Sequence, residues 1–135
     1  VLKDKRVVLV DDSIVRGNTS KRIVRMVREA GAKEIHFRSA SPPIRFPDYY
    51  GIDMPSESEL MAARMNLEEM RNELEVESLG FLSVDGLYWA VGDVKRDSNS
   101  PQYADHCFTG DYPTRLIDRR YDETGRDAQL SFLDD

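Results

Sequence analysis

Two adjacent carboxylates, Asp11 and Asp12, are followed by Ser13, Ile14, Val15, Arg16, Gly17, Asn18, Thr19 and Ser20. The hydroxyls of Ser13, Thr19 and Ser20 can donate to an anion. Gly17 permits a turn that gathers successive N–H groups into an anion nest. The carboxylates repel phosphate but suit vicinal sugar hydroxyls or a hard cation such as Mg²⁺. One stretch, residues 7–20, therefore offers a phosphate end and a sugar-diol end, the combination a ribose 5-phosphate group requires. Neither Gly-x-x-x-x-Gly-Lys-[Ser/Thr] nor Gly-x-Gly-x-x-Gly occurs in the chain, which separates this loop from the two commonest phosphate-binding signatures. Paired aspartates alone are more often a turn or a helix cap. The full run of apolar strand, acids, glycine and hydroxyls favours a site.

The elements around the loop must hold it open. Val7, Val8, Leu9 and Val10 form a continuous β-branched-rich run, read as a strand covered on both faces of a parallel sheet. A helix is expected over residues 19–30, with Ile23, Val27 and Ala30 facing inward and Gly31 as its stop. Residues 34–40 read as a second strand, giving a βαβ unit. Asp11 and Asp12 then fall at the carboxyl end of a strand, where such sheets bind ligands. Farther on, Ser56 and Glu59 form a capping box opening a helix to about residue 65. Asn66 to Glu69 opens another helix, with Leu67, Met70 and Leu74 on one stripe, and residues 79–82 read as a third strand. Ser83 is placed as the cap of a helix carrying Leu87, Ala90 and Val91.

A net charge of −6 argues against a general nucleic-acid binder, though not against a small cationic pocket. Cys107 stands alone, so no internal disulfide forms, and this usage suits a reducing cytoplasm. No apolar run reaches the roughly 18–20 residues of a membrane span. The first residues mix Lys3, Asp4, Lys5 and Arg6 with valines and do not read as a signal peptide. Because the chain opens with Val1 and enters a buried-type strand almost at once, it is expected to be the later part of a longer polypeptide.

The segment Asp-Asp-Ser-Ile-Val-Arg-Gly-Asn-Thr-Ser, residues 11–20, resembles the donor loop of the glutamine phosphoribosylpyrophosphate amidotransferases. The resemblance continues through Gly31 to Glu34, Ala40 to Pro43, Tyr50 to Ser56, Leu79 to Ser83 and Cys107 to Thr114, and covers most of residues 1–115. It implies an α/β fold of the type I phosphoribosyltransferase kind, a three-layer parallel sheet that is incomplete here. Residues 1–93 would be the carboxyl-terminal half of that domain and residues 94–135 a partly irregular tail. In this family the carboxyl-terminal domain binds phosphoribosyl pyrophosphate with Mg²⁺, and ammonia displaces pyrophosphate to give 5-phosphoribosylamine, the first step of purine synthesis.

By position, Asp11 and Asp12 resemble the diol and Mg²⁺ pair, and residues 13–20 the phosphate cradle. No residue of this segment is an evident general base. The glutaminase domain, the first strands of the transferase sheet and a closing loop have no counterpart, so the isolated chain is expected to be inactive. Some members carry a four-iron, four-sulfur cluster held by four cysteines. Three of those places hold Asp48, Ala104 and Cys107 here, and one thiolate cannot hold the cluster, which is expected to be absent. Cys107 is expected to be a small packed residue, and its neighbour His106 is not expected to share a metal site with it, since adjacent residues seldom face one site and no common partner is evident. The resemblance further implies purine nucleotide inhibitors and a homo-oligomer of two or four subunits; from charge and hydropathy, neither nucleic acid nor membrane is expected as a partner.

Among other residues, Arg16 is the candidate for a phosphate contact. Lys21, Arg22, Arg25 and Arg28 read as a solvated helix face. His36 reads as structural, and Tyr49 and Tyr50 as packing under the proline-rich segment. The alternative reading is a non-catalytic phosphoribosyl pyrophosphate-sensing module of a purine regulator. Such a protein should carry a DNA-binding region, and no helix-turn-helix or basic stretch is present. A nucleobase salvage transferase is a third possibility, and the blocks at 50–56 and 108–114 argue against it.

Overall fold

The computed structural model describes residues 1–52, 54–92 and 95–114, together with the backbone of two short strands beyond them. Strand β1 (Arg6–Asp11) leads through the loop to α1 (Asn18–Glu29), which returns the chain to β2 (Glu34–Ser39). A 3-10 turn (Glu57–Glu59), α2 (Met61–Arg64) and α3 (Leu67–Glu73) precede β3 (Ser78–Phe81). Next come α4 (Val84–Ala90) and α5 (His106–Thr109), and finally the antiparallel pair β4 (Arg119–Tyr121) and β5 (Asp127–Gln129). The sheet is parallel in the order β1-β2-β3, with Leu9 opposite Phe37 and Phe37 opposite Leu79.

Alternate residues of the sheet face one core. Ile35 and Phe37 of β2 are fully buried with Leu79, and Val24 of α1, Met61 and Ala62 of α2, and Met70 and Leu74 of α3 pack on them. The stripe of α1 is thus Ser20 and Val24 with Ile23 and Val27 half-buried, while Ala30 is exposed. This departs from the expected inward Ala30 because α1 ends at Glu29, and the chain leaves the sheet surface at its C-cap. Leu67 is also exposed, since it begins α3 one turn before the helix reaches the core.

Among the described residues, β1 is covered on one face only. Val8 and Val10 remain 63% and 67% exposed, in contrast to the two-sided burial expected of an unbroken apolar run. β1 is the edge of this sheet, and none of the described helices covers that side. The α/β class and the parallel sheet agree with expectation.

The capping box at Ser56 opens only a 3-10 turn. Leu60 reverts to extended backbone with its side chain fully buried, which splits the expected helix into the turn and α2. Asn66 and Ser83 cap α3 and α4 as expected, through Asn66 Oδ1 to the Glu68 and Glu69 N–H groups and Ser83 Oγ to Gly86 N–H. A second cluster of Ile44, Leu60 and Cys107, with Val15, Met54 and Phe108 against it, joins α5 to the loop that follows β1. Most of the tail at 115–135 lies outside the described residues, as does Asp53.

Candidate functional site

β1 ends in Asp11, and the carbonyl of Asp11 accepts the N–H of Ala40, so the strand holds its register with the β2 edge up to the loop. Asp11 Oδ1 accepts the N–H of Asp12 at 3.0 Å, and Asp12 Oδ1 accepts the N–H of Ser13 at 2.7 Å. Each carboxylate thereby fixes its own rotamer with one oxygen. No partner among the described residues takes the other, which suits a diol or a hard cation.

Ile14 turns the opposite way. It is 1% exposed and lies in the main core, so it anchors the loop and its side chain does not line the cavity. Gly17 is the N-cap of α1 in the left-handed region, φ 83°, and makes no side-chain cap. The first N–H groups of α1, which a helix leaves without intrahelical acceptors, are therefore presented with the positive end of the helix dipole behind them. Around them lies a cavity of about 370 Å³ lined by Asp11, Asp12, Ser13, Val15, Arg16, Gly17, Asn18, Thr19 and Ser20. Nine of the ten residues expected from the sequence thus share one cavity, with Ile14 beneath it.

Residues that the sequence did not single out support this loop. The N–H of Met61 donates to the Val15 carbonyl at 2.8 Å. The thioether of Met61 sits so near Gly17 that a Cβ there would meet Sδ at 2.5 Å. Glu59 Oε1 accepts from Arg16 Nε at 3.1 Å and forms an ion pair with Nη2 at the same distance. Capping-box spacing was the only sequence signal at Glu59, and it pointed to a helix start rather than to the loop.

The basic residues of α1 divide. Lys21 pairs with Glu73 of α3 at 2.7 Å, and Arg28 pairs with Glu77 at 3.0 Å and donates to the Glu75 carbonyl. Only Arg22 and Arg25 keep the solvated character expected of all four. His36 is structural as expected, its Nδ1 lying 2.9 Å from Ser78 Oγ.

A second polar group lies under the proline segment. His106 Nε2 is 2.6 Å from Asp48 Oδ2, and Cys107 Sγ is 3.8 Å from the same oxygen. The expectation that His106 and Cys107 have no common partner is corrected: α5 is a single turn, and both side chains reach Asp48 across it. The His106 ring stacks on Tyr112 and meets the edge of Tyr50. Burial, with Asp48 beside it, pushes the Cys107 thiol up to about 11, so it stays protonated at neutral pH. Of the positions compared with cluster ligands, Asp48 and Cys107 converge while Ala104 is exposed and offers no donor. One carboxylate, one imidazole and one thiol do not fit a four-iron cluster, which takes four thiolate-type ligands.

The parallel sheet and the loop behind α1 define a segment of the type I phosphoribosyltransferase fold. No protein-family model matches the chain. It is 55% identical to the amidophosphoribosyltransferase of Rhizobium etli over 98% of its own length and 27% of that protein, and 53% identical to the Bacillus subtilis enzyme over 86% and 24%. Amidophosphoribosyltransferase 2 of Arabidopsis thaliana, a chloroplastic protein, is 50% identical over the whole chain and 22% of its own length. A solved structure of the B. subtilis glutamine phosphoribosylpyrophosphate amidotransferase complexed with ADP and GMP superposes with a TM-score of 0.77 at 52% identity. That match covers 86% of this chain and 25% of the solved one. The chain is homologous to the amidophosphoribosyltransferases and spans about a quarter of their length.

Proposed function

We propose that the loop at residues 11–20 binds phosphoribosyl pyrophosphate as part of an amidophosphoribosyltransferase that makes 5-phosphoribosylamine. The observation that carries this reading is the uncapped N-terminus of α1 facing the same cavity as Asp11 and Asp12. The amides and hydroxyls of residues 13–20 take the 5-phosphate. Asp11 and Asp12 take the ribose hydroxyls and would hold Mg²⁺. Bound there, Mg²⁺ would supply charge stabilisation to the departing pyrophosphate.

The loop's own contribution is positional. It fixes the sugar so that the anomeric carbon can develop oxocarbenium character in line with an incoming ammonia. Ammonia is already a nucleophile, and no general base is needed from this segment. Residues 1–93 act as the carboxyl-terminal half of the transferase domain and 94–135 as a tail. Glutamine hydrolysis and the rest of the sheet come from other segments of the protein, in a homo-oligomer of two or four subunits in the cytoplasm. Purine nucleotides act as inhibitors in this reading, which fits the ADP and GMP bound to the B. subtilis relative.

Calorimetric titration with phosphoribosyl pyrophosphate tests the site. Asp11→Asn and Asp12→Asn should each weaken binding in the presence of Mg²⁺ by about ten- to a hundredfold, the loss of one or two charge-assisted contacts. They should matter less when Mg²⁺ is withheld. Unchanged affinity in both variants rejects the assignment. Pyrophosphate release by the 135-residue chain with ammonium alone would reject the companion claim that the chain is inactive by itself.

A further inference from the structure

The loop is held from outside by three consecutive residues of another segment. Glu59 ends the 3-10 turn, Leu60 follows it and Met61 opens α2, and they meet Val15, Arg16 and Gly17 by three different means. Met61 N–H bonds the Val15 carbonyl, the Met61 thioether fills the space beside Gly17, and Glu59 pairs with Arg16. Leu60, fully buried, fixes the depth of the segment against the cluster that includes Val15.

The Glu59 carboxylate is itself immobilised. Oε2 accepts from the Ser56 hydroxyl at 2.9 Å and from the Ser56 N–H at 3.1 Å. Oε1 is left for Arg16, where it takes the edge formed by Nε and Nη2. The guanidinium keeps its Nη1 donors without a partner among the described residues, and Arg16 lines the cavity. The Ser56 hydroxyl and N–H, and then Arg16, hold the Glu59 carboxyl below the usual carboxylate range, so it is charged at neutral pH. Both side chains are about half exposed, at 50% and 48%. An exposed pair of this kind adds little to stability. Its effect is on direction: a long, flexible arginine is held over the loop with one edge still open.

We propose that Glu59 is a positioning residue for the phosphate loop, holding the Arg16 guanidinium at the mouth of the cavity so that its free edge meets the phosphate of an incoming phosphoribosyl group. This rests on the donor-site reading above. Glu59 does not touch the ligand and acts only through Arg16.

The test is a double-mutant cycle in the complete polypeptide that carries the chain, with Mg²⁺ and phosphoribosyl pyrophosphate as the titrant. Glu59→Gln and Arg16→Gln should each raise Kd by about three- to tenfold, the scale of one partly exposed charge contact. The double variant should bind no more weakly than Arg16→Gln alone. KM for phosphoribosyl pyrophosphate should rise with kcat nearly unchanged, and the melting temperature should stay with the wild type. Ser56→Ala, which removes the hydroxyl bond to Glu59 Oε2 but keeps the backbone N–H bond and the carboxylate, should give a smaller rise and serves if Glu59→Gln proves unstable. Wild-type affinity in Glu59→Gln, or additive losses in the double variant, overturns the positioning role and leaves the donor site standing. Absence of binding by the wild type overturns both.

Discussion

At the scale of single residues, Gly17 has the narrowest tolerance. Its φ of 83° lies where L side chains are strained, and Met61 Sδ occupies the space a Cβ would need. Strain of this kind costs about 1–2 kcal/mol, and the clash must be relieved by moving either the thioether or the loop. Gly17→Ala should therefore lower stability by about 1–3 kcal/mol in urea denaturation and weaken phosphoribosyl pyrophosphate binding as the amides shift. Met61→Ala in the same background relieves the clash but not the dihedral strain, so it should recover part of the binding. No recovery would mean that the backbone conformation alone sets the loop. Ile14, by contrast, shows how a loop residue can belong to a ligand-binding motif while its side chain works only as an anchor in the core.

Elements are joined at this scale by a few buried or half-buried charges. Arg96 bonds Asp105 at the start of α5 at 2.5 Å and Asp111 beyond its end at 2.7 Å, and Tyr88 of α4 donates to the same Asp105 at 2.8 Å. Thr109 Oγ1 adds a contact to Asp105 Oδ1. Burial alone would push the Asp105 carboxyl up, but the Arg96, Tyr88 and Thr109 hydrogen bonds outweigh it and hold it below the usual range. Because the folded-state value is depressed, the stabilisation is complete above the ordinary carboxylate pKa of about 4 and is lost as pH falls through the folded value. Asp105→Asn leaves Arg96 poorly paired in a site where Asp105 is 3% exposed. It should cost about 3 kcal/mol at pH 7, and the gap to wild type should close below about pH 4. A gap independent of pH would show that shape, not charge, fastens α5 to α4.

Viewed whole, the chain has a finished side and an unfinished one. α1, α2 and α3 close the core over β2, whereas Val8 and Val10 present an apolar face with no described element above it. Exposed apolar strand surface at a sheet edge favours pairing with another chain. The isolated 135-residue chain should therefore associate at micromolar concentration and bind a hydrophobic dye. Val8→Thr with Val10→Thr should reduce both effects while leaving the far-ultraviolet circular dichroism unchanged. Light scattering that reports a monodisperse monomer of the unaltered chain, with a cooperative melt, would contradict this expectation.

The strand, the two acids, Gly17 and the hydroxyls could be read directly from the residues because each is a local signal: β-branched run, carboxylate pair, positive-φ glycine, helix start. The same locality placed β2, β3 and the caps at Asn66 and Ser83. Nothing local could place Glu59 on Arg16, forty-three positions apart, or bring His106 and Cys107 together on Asp48. Those meetings depend on how α2 and α5 lie against the loops, and that is set by the burial of Leu60, Ile44 and Cys107 in a common cluster. Periodicity likewise could not tell that one face of β1 stays open, since an apolar run reads the same whether or not anything covers it. The chemistry offered to a ligand was thus written in the order of residues 11–20; which neighbours hold those residues in place was decided by packing, through contacts between segments that sequence distance conceals.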